Sequence, residues 1–251
     1  MTDTIRSIDG KWALVTGAGK RIGAVIARRL HSAGANVAVH YFSSSGSADS
    51  LVEELNGVRA NSAVAVGADI RQAEQLEALV GKVVAHAGTL DILINNASSF
   101  YPTPLGQVTE DSWGDLINSN LKAPLFLAQA ALPHLQAAHG SIINMIDIHA
   151  RRPLRHHHVY GAAKAGLEML TRSLARDLAP EIRVNGIAPG AILWPEEGMA
   201  NGTKKYIIDR IPLGRAGEPS DIADTALFLL RDAPYITGQI IAVDGGRSIG
   251  W

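Results

Sequence analysis

The chain has 251 residues, of which 47% are hydrophobic, with a formal net charge of −1 and no cysteine. The near-zero net charge predicts no general affinity for nucleic acid or anionic membranes, and the absence of cysteine excludes disulfides, thiolate nucleophiles and cysteine-based metal sites. The polar N-terminus and the lack of a long apolar stretch favour a cytoplasmic protein without a membrane span.

Short apolar runs rich in valine and isoleucine alternate along the chain with segments of helical periodicity. The runs extend over residues 12–17, 36–41, 62–70, 91–97, 140–147, 182–190 and 239–246. Most are apolar at consecutive positions, which is typical of strands that are buried on both faces of a sheet. This alternation predicts an α/β fold, in which a parallel sheet is doubly wound with helices on both faces. We expect residues 1–251 to form a single domain.

The first apolar run ends in TGAGKRIG (16–23), and a helical segment follows. Glycine at such a turn lets the backbone approach a pyrophosphate, and the helix N-terminus offers free N–H groups with a partial positive charge. Arg21 stands where the usual dinucleotide fingerprint has its middle glycine, and Lys20 adds a second positive charge. A tight turn without a ligand is the alternative, but the strand–turn–helix context favours a cofactor site.

The end of the second run distinguishes between the two nicotinamide cofactors. An NAD site places aspartate or glutamate there to bind the ribose 2′-hydroxyl. This chain has HYFSS at 40–44 instead, and the next acidic residue is Asp49. Hydroxyl groups and a histidine can donate hydrogen bonds to a 2′-phosphate, which a carboxylate would repel. The sequence therefore favours NADPH, with a merely polar loop as the alternative.

Tyr160 and Lys164 lie four residues apart in a predicted helix, so that their side chains share one face. The pKa of a free tyrosine is about 10. We expect the ammonium group of Lys164 to lower the pKa of Tyr160 by stabilising the phenolate. The tyrosine could then act as a general acid in a reduction. Such a pair is common by chance on surfaces, and it gains weight here because it follows a strand in a sheet that carries a cofactor turn.

In their order and spacing, these motifs resemble the short-chain dehydrogenase/reductases over nearly the whole chain. The resemblance rests on the turn at 16–23, Asp69, Asn95-Asn96-Ala97, Asn120, the pair Tyr160 and Lys164, and Pro189-Gly190. It implies a Rossmann-like sheet of seven parallel strands, hydride transfer from a nicotinamide and often a homotetramer. It also implies that Asp69 meets the adenine and that Asn120 positions a water near Lys164.

The same resemblance implies a set of site residues and no metal. The catalytic residues would be Asn120, Asp147, Tyr160 and Lys164. The cofactor contacts would be Gly17, Lys20, Arg21, Ile22, His40, Tyr41, Ser43, Asp69, Asn96, Ala97, Ser98, Tyr160, Lys164, Pro189, Gly190 and Ile192.

Asp147 departs from the family, which normally has serine at this position to polarise a substrate carbonyl. An ionised carboxylate would repel the oxyanion that develops on a carbonyl oxygen, whereas a carboxyl group suits the protonation of nitrogen. A ring imine needs such a proton on nitrogen as hydride reaches carbon. The alternative is an inert aspartate in an enzyme that has lost its activity.

A narrower resemblance, to the pteridine reductases and the bacterial dihydromonapterin reductases, rests on the arginine of the turn, His-Tyr at 40–41 and NNASSFYPTP at 95–104. It implies NADPH-dependent reduction of a dihydropterin of the dihydrobiopterin, dihydromonapterin or dihydrofolate type. The aromatic ring of Phe100 would stack on this small-molecule substrate, although it could also simply fill a loop. The implied substrate contacts are Arg21, Ser98, Phe100, Asp147, Tyr160 and Trp194.

One feature of that narrower group is missing. Phe42 replaces the arginine that often follows His-Tyr, which leaves Arg21, His40 and Ser43 to bind the 2′-phosphate. The longest irregular stretch, 191–218, is interpreted as a loop that closes over the substrate, and it includes Trp194-Pro195-Glu196-Glu197.

The histidines at 149 and 156–158 do not have the spacing of metal ligands and are interpreted as a solvated loop or a subunit contact. Arg151, Arg152 and Arg155 are either solvated or attract a carboxylate tail such as that of folate. Trp251 either packs on its own chain or closes the site of a neighbouring subunit.

Two other functions are compatible with the sequence. One is a carbonyl reductase of the same fold that acts on a ketone or a 3-oxoacyl group, against which Asp147 argues. The other is a non-catalytic NADP-binding regulator, against which Asn120, Tyr160 and Lys164 argue.

Overall fold

The computed structural model describes residues 7–194 and 201–249. Its strands are β1 (Trp12–Val15), β2 (Asn36–Tyr41), β3 (Ala63–Gly67), β4 (Ile92–Asn95), β5 (Ser141–Met145), β6 (Arg183–Pro189) and β7 (Ile240–Val243). Its α-helices are α1 (Arg21–Ser32), α2 (Ser45–Val58), α3 (Ala73–Ala87), α4 (Glu110–Ile117), α5 (Ala123–Ala137), α6 (His158–Asp177), α7 (Asn201–Ile208) and α8 (Pro219–Leu227). Within these ranges, π-helical turns follow α4 and α8, and a 3-10 turn covers Ile148–Ala150.

The strands of the described residues form a seven-stranded sheet in the order β3-β2-β1-β4-β5-β6-β7, and all neighbouring pairs are parallel. Every strand lies within one of the predicted apolar runs, and the predicted doubly wound α/β fold is confirmed. The strand order reverses between β1 and β4. In such sheets, ligands bind in the crevice at the carboxyl ends of the strands where the order reverses.

The two faces of the sheet are buried by different helices. On β1, Ala13 and Val15 pack into a cluster with α1 and α8, whereas Leu14 packs on the other face with α3 and α5. On β4, Leu93 likewise faces α3 and α5, and it is fully buried. Burial of one leucine side chain stabilises a fold by roughly 1.5–3 kcal/mol. Because side chains alternate between faces and both faces are covered, the strands are apolar at consecutive positions.

The segment 191–218 is not irregular throughout, contrary to the prediction, because α7 lies inside it. Pro212 and Gly214 follow this helix rather than interrupt it. Residues 195–200 and Trp251 lie outside the described residues, and so do the expectations that concern them. In the described part of the chain, no helix has the length and apolar character that a membrane span requires.

Candidate active site

The turn between β1 and α1 requires glycine at two positions. Gly17 has φ +62°, and a Cβ atom on it would lie 3.0 Å from the Cα atom of Ala97. A Cβ atom on Gly23, in the first turn of α1, would lie 2.5 Å from the backbone oxygen of Gly17. The turn, the helix and the segment after β4 therefore approach one another more closely than a side chain would allow.

The N-terminus of α1 suits an anion. Lys20 is the N-cap residue and makes no capping hydrogen bond with its side chain, and the first turn contains no acidic residue. Arg21 has φ +55°, a left-handed conformation that costs an arginine roughly 1–2 kcal/mol. The backbone geometry that the middle glycine usually provides is thus kept by a residue that adds positive charge. N–H groups, helix dipole and cations together fit a pyrophosphate.

A cleft of about 380 Å³ lies between this turn and the ends of β2 and β4. Its lining consists of Gly17, Lys20, Arg21, Ile22, Gly23, Tyr41, Phe42, Ser43, Ser44, Asn96, Ala97 and Ser98. Many of the predicted cofactor contacts are therefore brought together. Within this described lining the charged side chains are cationic, which fits a cofactor that carries several phosphate groups.

Thr16 and Asn96 join the ends of β1 and β4 at this cleft. The hydroxyl oxygen of buried Thr16 accepts hydrogen bonds from the backbone N–H groups of Asn96 at 2.9 Å and Ala97 at 3.0 Å. Asn96 donates in return from Nδ2 to the backbone oxygen of Thr16 at 2.8 Å. These bonds hold Ala97 against Gly17.

Both ring nitrogens of His40 contact the backbone, and His40 is absent from the described lining of the cleft, so the predicted hydrogen bond from His40 to a 2′-phosphate finds no support in the geometry. The residue is 1% exposed; its Nδ1 accepts a hydrogen bond from the N–H of Gly17 at 3.0 Å, and its Nε2 lies 3.1 Å from the backbone oxygen of Ala68. Burial lowers the pKa of His40 to about 4, although Ala68 and Asp69 oppose the shift. The neutral imidazole therefore holds the cofactor turn from beneath.

Asp147 and Tyr160 are directly hydrogen-bonded. Asp147 follows β5 and caps the 3-10 turn, where its Oδ1 accepts a hydrogen bond from the N–H of His149 at 2.8 Å. Its Oδ2 accepts a hydrogen bond from the hydroxyl group of Tyr160 at 2.7 Å. Tyr160 lies in the first turn of α6 and is 4% exposed. The structure thus brings together the two residues predicted to carry protons.

The pKa of Tyr160 moves in the direction opposite to the prediction. Burial raises it well above 10, and the charge and hydrogen bond of Asp147 raise it further. Lys164, which was predicted to lower it, lies with its Nζ 5.7 Å from the centre of the tyrosine ring. In the absence of a ligand, the phenol therefore keeps its proton at neutral pH.

Lys164 is itself buried, with 2% exposure, and its Nζ donates a hydrogen bond to the backbone oxygen of Met145 at 2.8 Å. Burial lowers the pKa of Lys164 to about 8, and the negative charge of Asp147 limits the decrease. The side chain is therefore an ammonium ion at neutral pH and loses its charge under mildly alkaline conditions.

Asn120 lies in the π-helical turn Asn118–Lys122 and binds the segment after β4. Its Oδ1 accepts a hydrogen bond from the hydroxyl group of Ser98 at 2.7 Å, and its Nδ2 donates to the backbone oxygen of Ser99 at 2.9 Å. Turns of this kind are frequent at functional sites. The predicted role of Asn120, to position a water near Lys164, stays a prediction; its observed contacts fix the position of Ser98.

Phe100 and Tyr160 are in contact at the mouth of the site. Their ring centres are 4.8 Å apart at an interplanar angle of 78°. His157 stacks on Phe100, with ring centres 4.7 Å apart and an angle of 20°. Phe100 nevertheless remains 54% exposed. It can therefore present further ring surface to a flat ligand.

Comparison with known proteins extends over nearly the whole chain. A family model described as enoyl-(acyl carrier protein) reductase matches residues 17–248. A 3-oxoacyl-[acyl-carrier-protein] reductase, FabG, from Staphylococcus aureus is 40% identical, and the match covers 94% of this chain and 97% of the relative. Pteridine reductase 1 from Leishmania tarentolae is 37% identical, with 94% of this chain and 96% of the relative covered.

A solved structure has the same fold. It is that of a Sinorhizobium meliloti protein provisionally described as a short-chain alcohol dehydrogenase, with a TM-score of 0.92, 35% sequence identity, and coverage of 98% of this chain and 100% of that chain. The chain belongs to the short-chain dehydrogenase/reductase family. As a member of this family it is an oxidoreductase, and the predicted family resemblance is confirmed.

Asp69, the predicted adenine contact of this short-chain dehydrogenase/reductase, is braced by an arginine. Arg71 donates from Nε to Oδ1 and from Nη2 to Oδ2 of Asp69, both at 2.8 Å. These hydrogen bonds lower the pKa of Asp69, although burial opposes the shift. The guanidinium group of Arg71 also lies 4.8 Å from the ring centre of Phe42.

The remaining predicted cofactor contacts lie at and after the end of β6. The N–H of Gly190 donates a hydrogen bond to the backbone oxygen of Val243 at 3.0 Å. Ile192 is buried in the core. Trp194 is half-buried, and the Nζ of Lys204, in α7, lies 5.9 Å from the centre of its ring.

Arg151 is paired with Glu168, and the hypothesis that it attracts a carboxylate tail loses support. Its Nε lies 2.8 and 2.9 Å from the two carboxylate oxygens of Glu168, which also accepts a hydrogen bond from Arg172. Over the described ranges, no cluster of three or more histidine or acidic side chains could hold a metal ion.

Sequence analysis missed the roles of His157 and Arg71. His157 lies directly before α6 and only three residues before Tyr160, and this closeness in the sequence to a predicted catalytic residue was a usable signal. Arg71 follows Asp69 by two residues in a loop, where no spacing rule predicts that its side chain returns to the carboxylate.

Proposed function

We propose that this short-chain reductase uses NADPH to reduce a dihydropterin to its tetrahydro form. The observation that carries the proposal is the 2.7 Å hydrogen bond between Tyr160 and Asp147, at a position where the family normally has serine. A carboxyl group at this place suits the delivery of a proton to a ring nitrogen and is poorly suited to a carbonyl oxygen that becomes negative. The 37% identity with the pteridine reductase from Leishmania tarentolae supports the same substrate class.

The proton steps follow from the charges in the site. When bound, NADPH would supply a hydride to the carbon of a C=N bond, and the nitrogen, which would gain an electron pair, would then need a proton. Tyr160 is a weak donor by itself, because its phenolate would lie next to the carboxylate of Asp147. A proton that Asp147 takes up from solvent when the substrate binds avoids two adjacent anions. Asp147 passes this proton to the nitrogen, and the Tyr160 hydroxyl group stabilises the carboxylate that remains.

The other residues hold the two ligands. Lys20, Arg21 and Ser43 line the cleft and would bind the 2′-phosphate, and the described lining contributes no carboxylate that would repel it. The ammonium group of Lys164 offsets negative charge beneath the site. The exposed surface of Phe100 provides a stacking surface for the pterin ring. A homotetramer stays a prediction.

A second candidate is reduction of a 3-oxoacyl group or another ketone. It is favoured by the 40% identity with the reductase from Staphylococcus aureus, a relative as similar as the pteridine reductase. Asp147 counts against it for the reason given above. In a ketone reductase of this geometry, Tyr160 would have to protonate an oxyanion while its hydroxyl group is hydrogen-bonded to the carboxylate of Asp147. The resulting phenolate would then lie next to a second negative charge.

The test is oxidation of NADPH and of NADH by purified protein with dihydrobiopterin, dihydromonapterin, dihydrofolate and a panel of simple ketones and 3-oxoacyl thioesters. We expect turnover with NADPH and at least one dihydropterin. Turnover with ketones or 3-oxoacyl thioesters alone would establish the second candidate. Tight binding of NADPH without turnover of any compound would indicate a non-catalytic regulator.

A further inference from the structure

The cleft has two ends that different side chains define. Phe42 and Ser98 line the cleft. On the proposed adenosine side, Phe42 lies next to Arg71, which binds Asp69. On the proposed substrate side, the segment after Ser98 carries Phe100, which contacts Tyr160. The sequence places these residues in separate loops and in α6, without direct contact between the two ends. A chain of hydrogen-bonded side chains nevertheless joins them, and Arg71 is at its centre.

Arg71 binds two carboxylates that come from different parts of the fold. Its Nε and Nη2 atoms hold Asp69 at 2.8 Å, and its Nη1 donates to Oδ1 of Asp115, in α4, at 2.9 Å. The guanidinium plane also lies over Phe42. Its side chain is 36% exposed, and a planar fork with three engaged nitrogens has little rotational freedom left. Lysine could not make this set of contacts.

Asp115 in turn binds the loop that carries Phe100. This loop comprises residues 98–103 and is called the Ser98–Thr103 loop below. Its Oδ2 accepts a hydrogen bond from the hydroxyl group of Tyr101 at 3.0 Å, and it also accepts one from the side chain of Ser99. Burial opposes ionisation of Asp115, but these bonds and Arg71 keep its pKa low. Asp115 is therefore a fixed anion with three partners.

Tyr101 connects the network to the catalytic tyrosine. Its ring packs against a buried cluster formed by Leu116, Val159 and Tyr160. Since Tyr101 is the neighbour of Phe100, the position of its hydroxyl group determines where the Ser98–Thr103 loop places the predicted stacking ring. The network thus extends from Asp69 to the wall of the substrate site through two carboxylates and one cation.

We propose that Arg71 is a positioning residue that couples binding at the adenosine end to the order of the Ser98–Thr103 loop. This proposal rests on the proposed dinucleotide site. Adenosine bound against Phe42 and Asp69 would add contacts to residues that Arg71 already holds, and Arg71 would pass this added restraint to Asp115 and Tyr101. Isolated surface ion pairs contribute little, but Arg71 binds two carboxylates at once, Asp69 at 2.8 Å and Asp115 at 2.9 Å, and so links two separate segments of the fold.

The experiment uses half of the cofactor, so that the nicotinamide cannot touch the loop directly. Hydrogen–deuterium exchange of the peptide covering residues 100–108 is measured by mass spectrometry with and without saturating 2′,5′-ADP, and again with 5′-AMP. In the unmodified protein we expect the nucleotide to slow exchange in this peptide about fivefold, a typical size for coupling between sites.

Two variants interrupt the chain while leaving Asp69 and Arg71 in place. Asp115→Asn removes the anion, and Tyr101→Phe removes one hydroxyl group and keeps the packed ring. Both should bind the nucleotide within about twofold of the unmodified protein. Asp115→Asn should lose the slowing of exchange, and Tyr101→Phe, which keeps the contact between Ser99 and Asp115, should lose part of it. Arg28→Gln is the matched control, because Arg28 makes a similar two-nitrogen contact with Glu54 on an exposed surface.

The outcomes separate the proposal from the function on which it rests. Full slowing of exchange in Tyr101→Phe and Asp115→Asn, or nucleotide binding without any slowing in the unmodified protein, overturns the role of Arg71 and leaves the cofactor site intact. Loss of slowing in Arg28→Gln would show a general loosening and would also overturn it. If neither 2′,5′-ADP nor 5′-AMP binds, the dinucleotide site itself is wrong and the coupling falls with it.

Discussion

Protonation of His40 should destabilise the protein as the pH falls. The imidazole is 1% exposed, and its two nitrogens contact the N–H of Gly17 and the backbone oxygen of Ala68. A second proton on the ring would have to displace the N–H of Gly17, which Nδ1 accepts. The folded state therefore resists a proton that the unfolded chain accepts readily.

The magnitude follows from the pKa values. The pKa of His40 is lowered from 6.5 to about 4, so between these values the unfolded state binds more protons than the folded state. The contribution to stability is complete above pH 6.5 and is lost as the pH falls toward 4. At about 1.4 kcal/mol per pH unit, the loss by pH 4.5 is about 2 to 3 kcal/mol. This is a large part of a typical total of 5–15 kcal/mol.

The assay is urea unfolding at intervals between pH 7 and 4.5, in the unmodified protein and in His40→Asn. Asparagine has an oxygen near the place of Nδ1 that can accept the hydrogen bond from Gly17, and it does not titrate. We expect the variant to be less stable at pH 7, because the contact with Ala68 is lost. As the pH falls from 7 to 4.5, the free energy of unfolding of the variant should decrease by about 2 to 3 kcal/mol less than that of the unmodified protein.

Parallel pH curves for the two proteins would refute the assignment of His40 as a buried neutral support of the turn. A second readout tests the cofactor side of the same argument. Because His40 is absent from the described lining of the cleft, the preference of His40→Asn for NADPH over NADH should equal that of the unmodified protein. A tenfold loss of that preference would show that His40 contacts the 2′-phosphate after all.

Other changes have equally definite outcomes. Gly23→Ala should abolish NADPH binding in calorimetry and lower stability by about 1–3 kcal/mol, because its Cβ atom would meet the oxygen of Gly17 at 2.5 Å; normal binding would contradict the turn geometry. The turnover number should fall as pH rises through about 8, where Lys164 loses its charge, and a profile that is flat to pH 9.5 would argue against a catalytic ammonium. His157→Ala should raise the KM for a dihydropterin about two- to tenfold through loss of the stack on Phe100, and an unchanged KM would remove His157 from the site.

The apolar runs predicted the strands well, because both faces of this sheet are covered. Leu14 and its neighbours Ala13 and Val15 point to opposite sides, yet all three are buried, and this leaves a continuous apolar signal in the sequence. The turn at 16–23 was predictable for a similar reason. Glycine at positive φ and glycine at close backbone contact are local requirements, and the sequence displays them directly.

The sequence-based predictions that the structure does not support concern contacts between segments that are distant along the chain. His40 is kept neutral by burial, and its ring nitrogens contact Gly17 and Ala68, which reach it from neighbouring strand ends. The pKa of Tyr160 is raised by burial and by Asp147, whose orientation depends on the capped 3-10 turn. Helical spacing indicated that Lys164 shares a face with the tyrosine, but it could not show that a carboxylate lies closer.

The central claim is that Asp147 delivers a proton to nitrogen, and Asp147→Ser tests it most directly because it restores the residue that the family normally has. Rates with a dihydropterin and with a ketone are compared in the same preparation, together with the Kd for NADPH. We expect dihydropterin turnover to fall by about 100-fold or more, the size of a lost general acid, with an unchanged Kd for NADPH and retained or increased turnover of the ketone. Equal dihydropterin turnover in both proteins would contradict the account.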